Sequence, residues 1–240
     1  MATVRLTMSQ ALTRWMTAQS IEQLDGTIES AFAGVWAIFG HGNVAGLGEA
    51  LYGVRDQLPT YRGHNEQSMA HIAIAYAKQK QRRRMMAVTT SIGPGATNLA
   101  TAAALAHVNR LPVLLLPGDV FATRAPDPVL QQVESFADGT VSANDCLRPI
   151  SRYFDRITRP EQLLQALPKA MSVLTDPADC GPVTLGLCQD VQAEAWDYPE
   201  SFFAPRVWHM RRIPPDAAEL SRAIKILKSA KRPMICLLYT

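Results

Sequence analysis

Cysteine is scarce: Cys146, Cys180, Cys188 and Cys236 are the only four in 240 residues. No two have the spacing of a metal-ligand pair or a redox motif, which excludes a zinc ribbon or disulfide framework and predicts free, buried thiols in a reducing compartment. Charge is also low, with 19% of residues charged and a net charge of +3, too mild a basicity to point to nucleic acid. The one basic run, Lys78 to Arg84 (KQKQRRR), reads as a solvated helix end and loop. Long apolar runs are lacking. Leu111 to Leu116 (LPVLLL) falls far short of the roughly 20 residues that a membrane-spanning helix needs. The start, MATVRLTMSQALTRW, has neither the apolar core nor the cleavage site of a secretory signal. Internal repeats and low-complexity tracts are missing as well. These absences point to a soluble cytoplasmic protein without a membrane or nucleic-acid partner. The 48% apolar content can bury a sizeable core.

What is present alternates between strand and helix signals. Thr7 can cap a helix over Met8–Gln19. Val35–Phe39, Thr60–Arg62, Met85–Thr90, Pro112–Leu116 and Val183–Cys188 read as strands, most of them short apolar runs suited to burial on both faces. Helices are expected after GHGNVAGLG to about Gln57, from Glu66 to about Lys80, through an alanine-rich stretch to about His107, and over Pro160–Thr175, where Pro168 should kink or break the helix. This order predicts an α/β fold, a parallel sheet with helices on both faces. Residues 1–195 form the expected domain. Residues 196–215, with four prolines and aromatics but no period, are expected to be an inter-domain linker. Residues 216–240, opening on Asp216 as a helix cap with a strand at Pro233–Leu238, are expected to begin a second α/β domain cut short.

Three features could carry chemistry. GHGNVAGLG lies between a strand and a helix, as a dinucleotide fingerprint would. Its Gly40-x-Gly42-x-x-x-Gly46 spacing is off by one, however, and the acidic residue that follows, Glu66, opens a helix instead of ending a strand. SIGPGATN (91–98) is a second glycine-rich strand-to-helix turn. Two such turns on neighbouring strands suit a ligand at the strand carboxyl ends. Glu66, in a first helical turn, is accounted for by the helix dipole alone, worth about 0.3–1 kcal/mol. His41, His64, His71 and His107 lack metal spacing, and Ser91 lacks the G-x-S-x-G context of a hydrolase nucleophile.

Taken in order, IFGHGNV (38–44), YRGHNEQSMAH (61–71), TTSIGPGATNLATA (89–102), NRLPVLLLPGD (109–119) and LQQVESF (130–136) resemble one family. It is the thiamine-diphosphate enzymes of the acetohydroxyacid synthase and pyruvate oxidase group, in their N-terminal, pyrimidine-binding (PYR) domain. FGHGNVAGLGEAL, FATRAPDPVLQQVE, SRYFDRITRPEQL and DYPESFF resemble the members that hydrolyse a carbon–carbon bond of a cyclic 1,2-diketone in myo-inositol catabolism. The resemblance implies that Glu66 is catalytic, hydrogen-bonding and sharing a proton with the cofactor's aminopyrimidine, which demands a carboxyl sheltered from bulk water. It implies that His41, Gly42 and Asn43 lie beside the pyrimidine, that Gly93, Pro94 and Gly95 wall the cofactor cleft, and that Gln131 faces the substrate.

The family holds the diphosphate and Mg²⁺ through a Gly-Asp-Gly motif in a C-terminal domain, and no Gly-Asp-Gly occurs here. The resemblance therefore implies a chain that supplies the pyrimidine end of the site, inactive alone, and a homo-oligomer when full length. Competing readings are another carboligase or decarboxylase such as an acetohydroxyacid synthase, a nucleotide-binding oxidoreductase domain, and a non-catalytic remnant.

Overall fold

The computed structural model describes residues 2–126, 128–133, 135 and 137–235. The chain divides into two units, residues 1–210 and 211–240. In chain order the first unit runs β1 (Thr3–Thr7), α1 (Met8–Thr17), β2 (Gln19–Glu22), β3 (Ile28–Ser30), β4 (Phe32–Ile38), α2 (Gly40–Asn43), a π-helical turn (Val44–Gly48), α3 (Glu49–Gly53), β5 (Thr60–Arg62) and α4 (Glu66–Gln79). It continues with β6 (Met85–Thr90), α5 (Pro94–Thr97), α6 (Ala100–Asn109), β7 (Val113–Asp119), a 3₁₀ stretch (Ala143–Ile150), β8 (Tyr153–Ile157), α7 (Leu163–Leu174), β9 (Pro182–Cys188), β10 (Ala195–Pro199) and β11 (Arg206–Trp208).

The expected parallel sheet is present, with six strands in the order β5-β4-β6-β7-β9-β8. Its central strands are buried throughout, and their pleat sends alternate side chains to two cores. Met85, Ala87, Leu114 and Leu116 face α1 and α7 residues such as Leu12 and Leu167. Met86, Val88, Val113 and Leu115 face α4 and α6 residues such as Ala73 and Ala103. Each large apolar side chain so removed from water contributes about 1.5–3 kcal/mol. The alanine stripes on α4 and α6 let both helices lie close to the strands.

The sheet order has one consequence for the site. β5 lies on one side of β4, whereas β6, next in the chain, lies on the other. The connections leaving β4 and β6 therefore diverge and open a crevice at the carboxyl ends of these strands.

Several expectations are corrected. The helix after Thr7 stops at Thr17, and Gln19 instead begins β2: its amide donates to the Trp15 carbonyl (2.9 Å) and its oxygen accepts from the Trp208 indole (3.0 Å). The Thr7 cap is present, with the Thr7 hydroxyl and the Gln10 side chain each bonded to the other's backbone N–H. α7 runs unbroken through Pro168. Only one helical hydrogen bond is lost there, and the buried Leu163, Leu167 and Leu174 stripe holds the helix against the sheet. Residues 196–208 are no linker. β10 pairs antiparallel with β1, β11 pairs parallel with β2, and Tyr198 is wholly buried with its hydroxyl donating to the Pro160 carbonyl at 2.9 Å. The prolines break periodicity, while the aromatics Trp196, Tyr198, Phe202 and Phe203 pack on one another and on Trp15.

Cys180 and Cys188 are buried as expected, and burial pushes the Cys180 thiol up to about 12. Cys146 is exposed, and Cys236 lies outside the described residues. In the second unit α8 (Ala217–Ser229) starts on Asp216, whose carboxylate accepts from the Ala218 and Glu219 N–H groups. Its apolar face, Leu220, Ile224 and Leu227, is exposed. Of the strand expected at 233–238, residues 233–235 carry no strand and 236–240 lie outside the described residues.

Candidate functional site

Glu66 is the first residue of α4. The turn before it is tight, since a β-carbon on Gly63 would collide with the Met69 side chain. Asn65 caps the helix by accepting the Ser68 N–H at 2.9 Å. Glu66 is half-buried. Its Oε2 accepts a 2.8 Å hydrogen bond from Asn98 Nδ2, which reaches over from the end of α5. Oε1 takes no hydrogen bond from the described residues. A β-carbon on Gly95 would lie 3.2 Å from Oε1, so glycine at that position keeps this oxygen open.

Glu66, Ser91, Pro94, Gly95, Thr97, Asn98 and Gln131 line a cleft of about 580 Å³. Its Ser91 hydroxyl is buried without a partner. Gly93 has φ +63°, and a β-carbon there would run into the Gln131 carbonyl oxygen, so the turn after β6 and the segment carrying Gln131 meet at glycine contact. Gln131 itself is in the left-handed region at φ +60°, with its side chain exposed at the cleft.

The GHGN stretch goes elsewhere. His41 lines a neighbouring cleft of about 800 Å³ with Phe39, Val44, Arg62 and His64, and its Nε2 is buried without a partner. Gly42 is buried, and Asn43 is turned fully inward. The Asn43 amide donates to Thr89 Oγ1 and the Thr90 carbonyl, each at 2.8 Å. Its Oδ1 accepts from Gln192 Nε2, also at 2.8 Å. The structure thus gathers Glu66, Pro94, Gly95 and Gln131 at one cleft, sets Gly93 behind it, and places His41 at the adjoining one. Asn43 acts on the loop and lines neither. This loop, folded into α2 and a π turn, does not form a dinucleotide-type turn.

Sequence reasoning missed Asn98, although it lies in the quoted GPGATN, one helical turn after Pro94. It also missed the buried polar groups at the strand ends. Asp119, 1% exposed, takes the Arg156 Nε at 2.8 Å, and Arg156 also donates to Ser142 Oγ at 2.6 Å. Arg156 lies 37 positions from Asp119 and 14 from Ser142, so the three belong to no local pattern. Among the described residues no group of three or more His, Cys, Asp or Glu could hold a metal.

The residues of the Glu66 cleft fit one end of a planar nitrogen heterocycle. An unengaged carboxylate oxygen supplies the polar contact, an unpartnered hydroxyl lies close by, and glycine leaves room for a flat ring.

Residues 31–138 match the family described as the thiamine pyrophosphate enzyme N-terminal TPP binding domain. Over 237 residues the chain is 54% identical to the 3D-(3,5/4)-trihydroxycyclohexane-1,2-dione hydrolase of Geobacillus thermodenitrificans, covering 99% of this chain and 37% of that protein. It is 53% identical to 3D-(3,5/4)-trihydroxycyclohexane-1,2-dione hydrolase 1 of Bacillus cereus, covering 98% and 37% respectively. The chain thus spans a little over a third of the length of these relatives. Residues 31–138, with Glu66 at the mouth of the strand crevice, thus match the N-terminal TPP binding domain of the thiamine pyrophosphate enzymes.

Proposed function

We propose that this chain supplies the pyrimidine-binding part of a thiamine-diphosphate-dependent hydrolase that opens the ring of a trihydroxycyclohexane-1,2-dione in myo-inositol catabolism. The observation that carries this reading is the state of Glu66, with one oxygen fixed by Asn98 and the other open to a cleft at the β4/β6 crevice. The names of the relatives support the substrate class.

Bound thiamine diphosphate would supply the carbanion chemistry of carbon–carbon cleavage. The chain's own residues handle position and protons. Glu66 Oε1 would hold and return a proton for a pyrimidine nitrogen bound in the cleft. Asn98 fixes the carboxyl plane through Oε2. Gly93, Pro94 and Gly95 wall the cleft, and Gln131 lies on its substrate side. His41 lies at the adjoining cleft, on a loop whose Gly42 and Asn43 are buried and brace it from behind. Covering the half-buried carboxyl excludes water and strengthens each of these contacts.

The diphosphate and its Mg²⁺ are held, in this reading, by the part of the protein corresponding to the remaining length of the relatives. Residues 211–240 open a second domain, and the complete protein works as a cytoplasmic homo-oligomer.

The test is ring opening of trihydroxycyclohexane-1,2-dione by a polypeptide in which this chain is continued by the remaining length of the Geobacillus relative. Glu66→Gln should lower kcat by about 10²–10⁴-fold, the usual weight of a positioned proton carrier. Undiminished turnover by that variant overturns the reading, and turnover of pyruvate in place of the cyclic diketone reassigns the substrate class.

A further inference from the structure

We propose that the short turn following β9, Gln189 to Gln192, is a clamp that sets the positions of both loops beside the Glu66 cleft, with Gln192 as its principal positioning residue. Gln192 is 1% exposed. Its amide nitrogen donates to the Gly42 carbonyl (2.9 Å), Asn43 Oδ1 (2.8 Å) and the Leu187 carbonyl (3.2 Å). Its oxygen accepts the Leu47 N–H at 3.1 Å. That last bond lies inside the π-helical turn at Val44–Gly48. A backbone donor taken by a side chain interrupts the regular helical ladder, and this accounts for the irregularity. Gly46 permits the approach: a β-carbon there would stand 2.5 Å from the Gln192 β-carbon.

The same turn reaches the second loop. The Asp190 carboxylate accepts the Ala122 N–H at 2.9 Å and the Thr123 N–H at 3.1 Å. Gln189 donates to the His41 carbonyl at 3.3 Å and accepts from the buried Gln132 at 3.4 Å. One four-residue turn therefore fastens the loop carrying His41 and the loop leading to Gln131. A buried amide with its donors and acceptor engaged is costly to disturb, because the groups it binds lose a partner away from water. The catalytic value of the clamp rests on the thiamine-diphosphate reading, but its mechanical role does not.

The experiment is amide hydrogen exchange on the 240-residue chain, with peptides covering 40–48, 121–124 and β6. Gln192→Leu, which keeps bulk and removes every hydrogen bond, should speed exchange over 40–48 at least tenfold while leaving β6 within twofold. Asp190→Ala should do the same over 121–124. Gln192→Glu keeps the acceptor for Leu47 but sets a buried carboxylate oxygen against the Gly42 carbonyl, Asn43 Oδ1 and the Leu187 carbonyl, so exchange over 40–48 should rise at least as much as in Gln192→Leu. If the Gln192 variants fail to fold, Asp190→Ala carries the reading through 121–124. Unchanged exchange over 40–48, or an equal rise across β6, overturns the clamp. Neither result depends on bound cofactor, so this inference and the proposed function can fail separately.

Discussion

Asn98 and Glu66 are joined by one hydrogen bond, Nδ2 to Oε2 at 2.8 Å, across 32 residues of sequence. The bond turns a flexible side chain at a helix start into one with a fixed plane. Its donor stands at the end of the turn after β6 and its acceptor stands after β5, so the contact ties the connection leaving β5 to the one leaving β6.

Removing that tether should cost activity without unfolding the domain. A hydrogen bond to a charged group contributes about 1.5–3 kcal/mol when sheltered, and Glu66 is only half-buried. Asn98→Ala should lower kcat of the completed enzyme about tenfold, the equivalent of about 1.4 kcal/mol. Asn98→Asp should cost more, because a second carboxylate would repel the first. Steady-state ring-opening rates of the two variants, beside Glu66→Gln, check the order.

Two glycines with positive φ separate backbone strain from collision. Gly26, at φ +83°, has nothing within 4 Å of an added β-carbon, whereas Gly93, at φ +63°, would meet the Gln131 carbonyl. Gly26→Ala should cost about 1 kcal/mol, the conformational penalty alone. Gly93→Ala should cost clearly more and distort the cleft wall. Urea unfolding of both variants gives the comparison.

The Asp119–Arg156 pair should be far more costly to break than to replace. Asp119 is 1% exposed, and its Oδ2 lies in space that Gly186 leaves open. Arg156→Met strands that carboxylate and should destabilise by about 3–5 kcal/mol, while the double variant with Asp119→Leu should recover most of the loss. Chemical denaturation of the single and double variants measures both.

Asp145 should contribute to acid sensitivity. Burial alone would raise its carboxyl, but the Ser142 N–H, Arg148 and Arg156 outweigh burial and hold it below the ordinary value. A carboxyl depressed by folding stabilises the native state above its unfolded value, and that contribution disappears as pH falls through the folded value. Wild type should therefore lose stability below about pH 4 more steeply than Asp145→Asn, as thermal melts between pH 2 and 6 would record.

The sheet's centre was legible because buried parallel strands are written as short apolar runs, and Met85–Thr90 is one. β8 was not: Tyr153–Ile157 is an edge strand with Asp155 and Arg156 inside it, and its membership depends on pairing with β9. Nor were β1 and β10, which make one ladder from residues nearly two hundred positions apart. Near the cleft, Glu66 as a helix opener and the GPG stretch as a strand-to-helix turn were readable from local pattern, whereas a role for them comes from the family resemblance alone. The inward turn of Asn43 was not readable, since the buried amide that engages it, Gln192, lies 149 residues further along the chain.

The pairing of Arg206–Trp208 with Gln19–Ile21 has a practical corollary for anyone trimming the gene. A stop codon placed after residue 195, where composition alone suggests a boundary, would delete the ring of Tyr198 from the interior and strip a neighbour from two small ladders at once. The shortest version that keeps its own interior sealed ends near Met210.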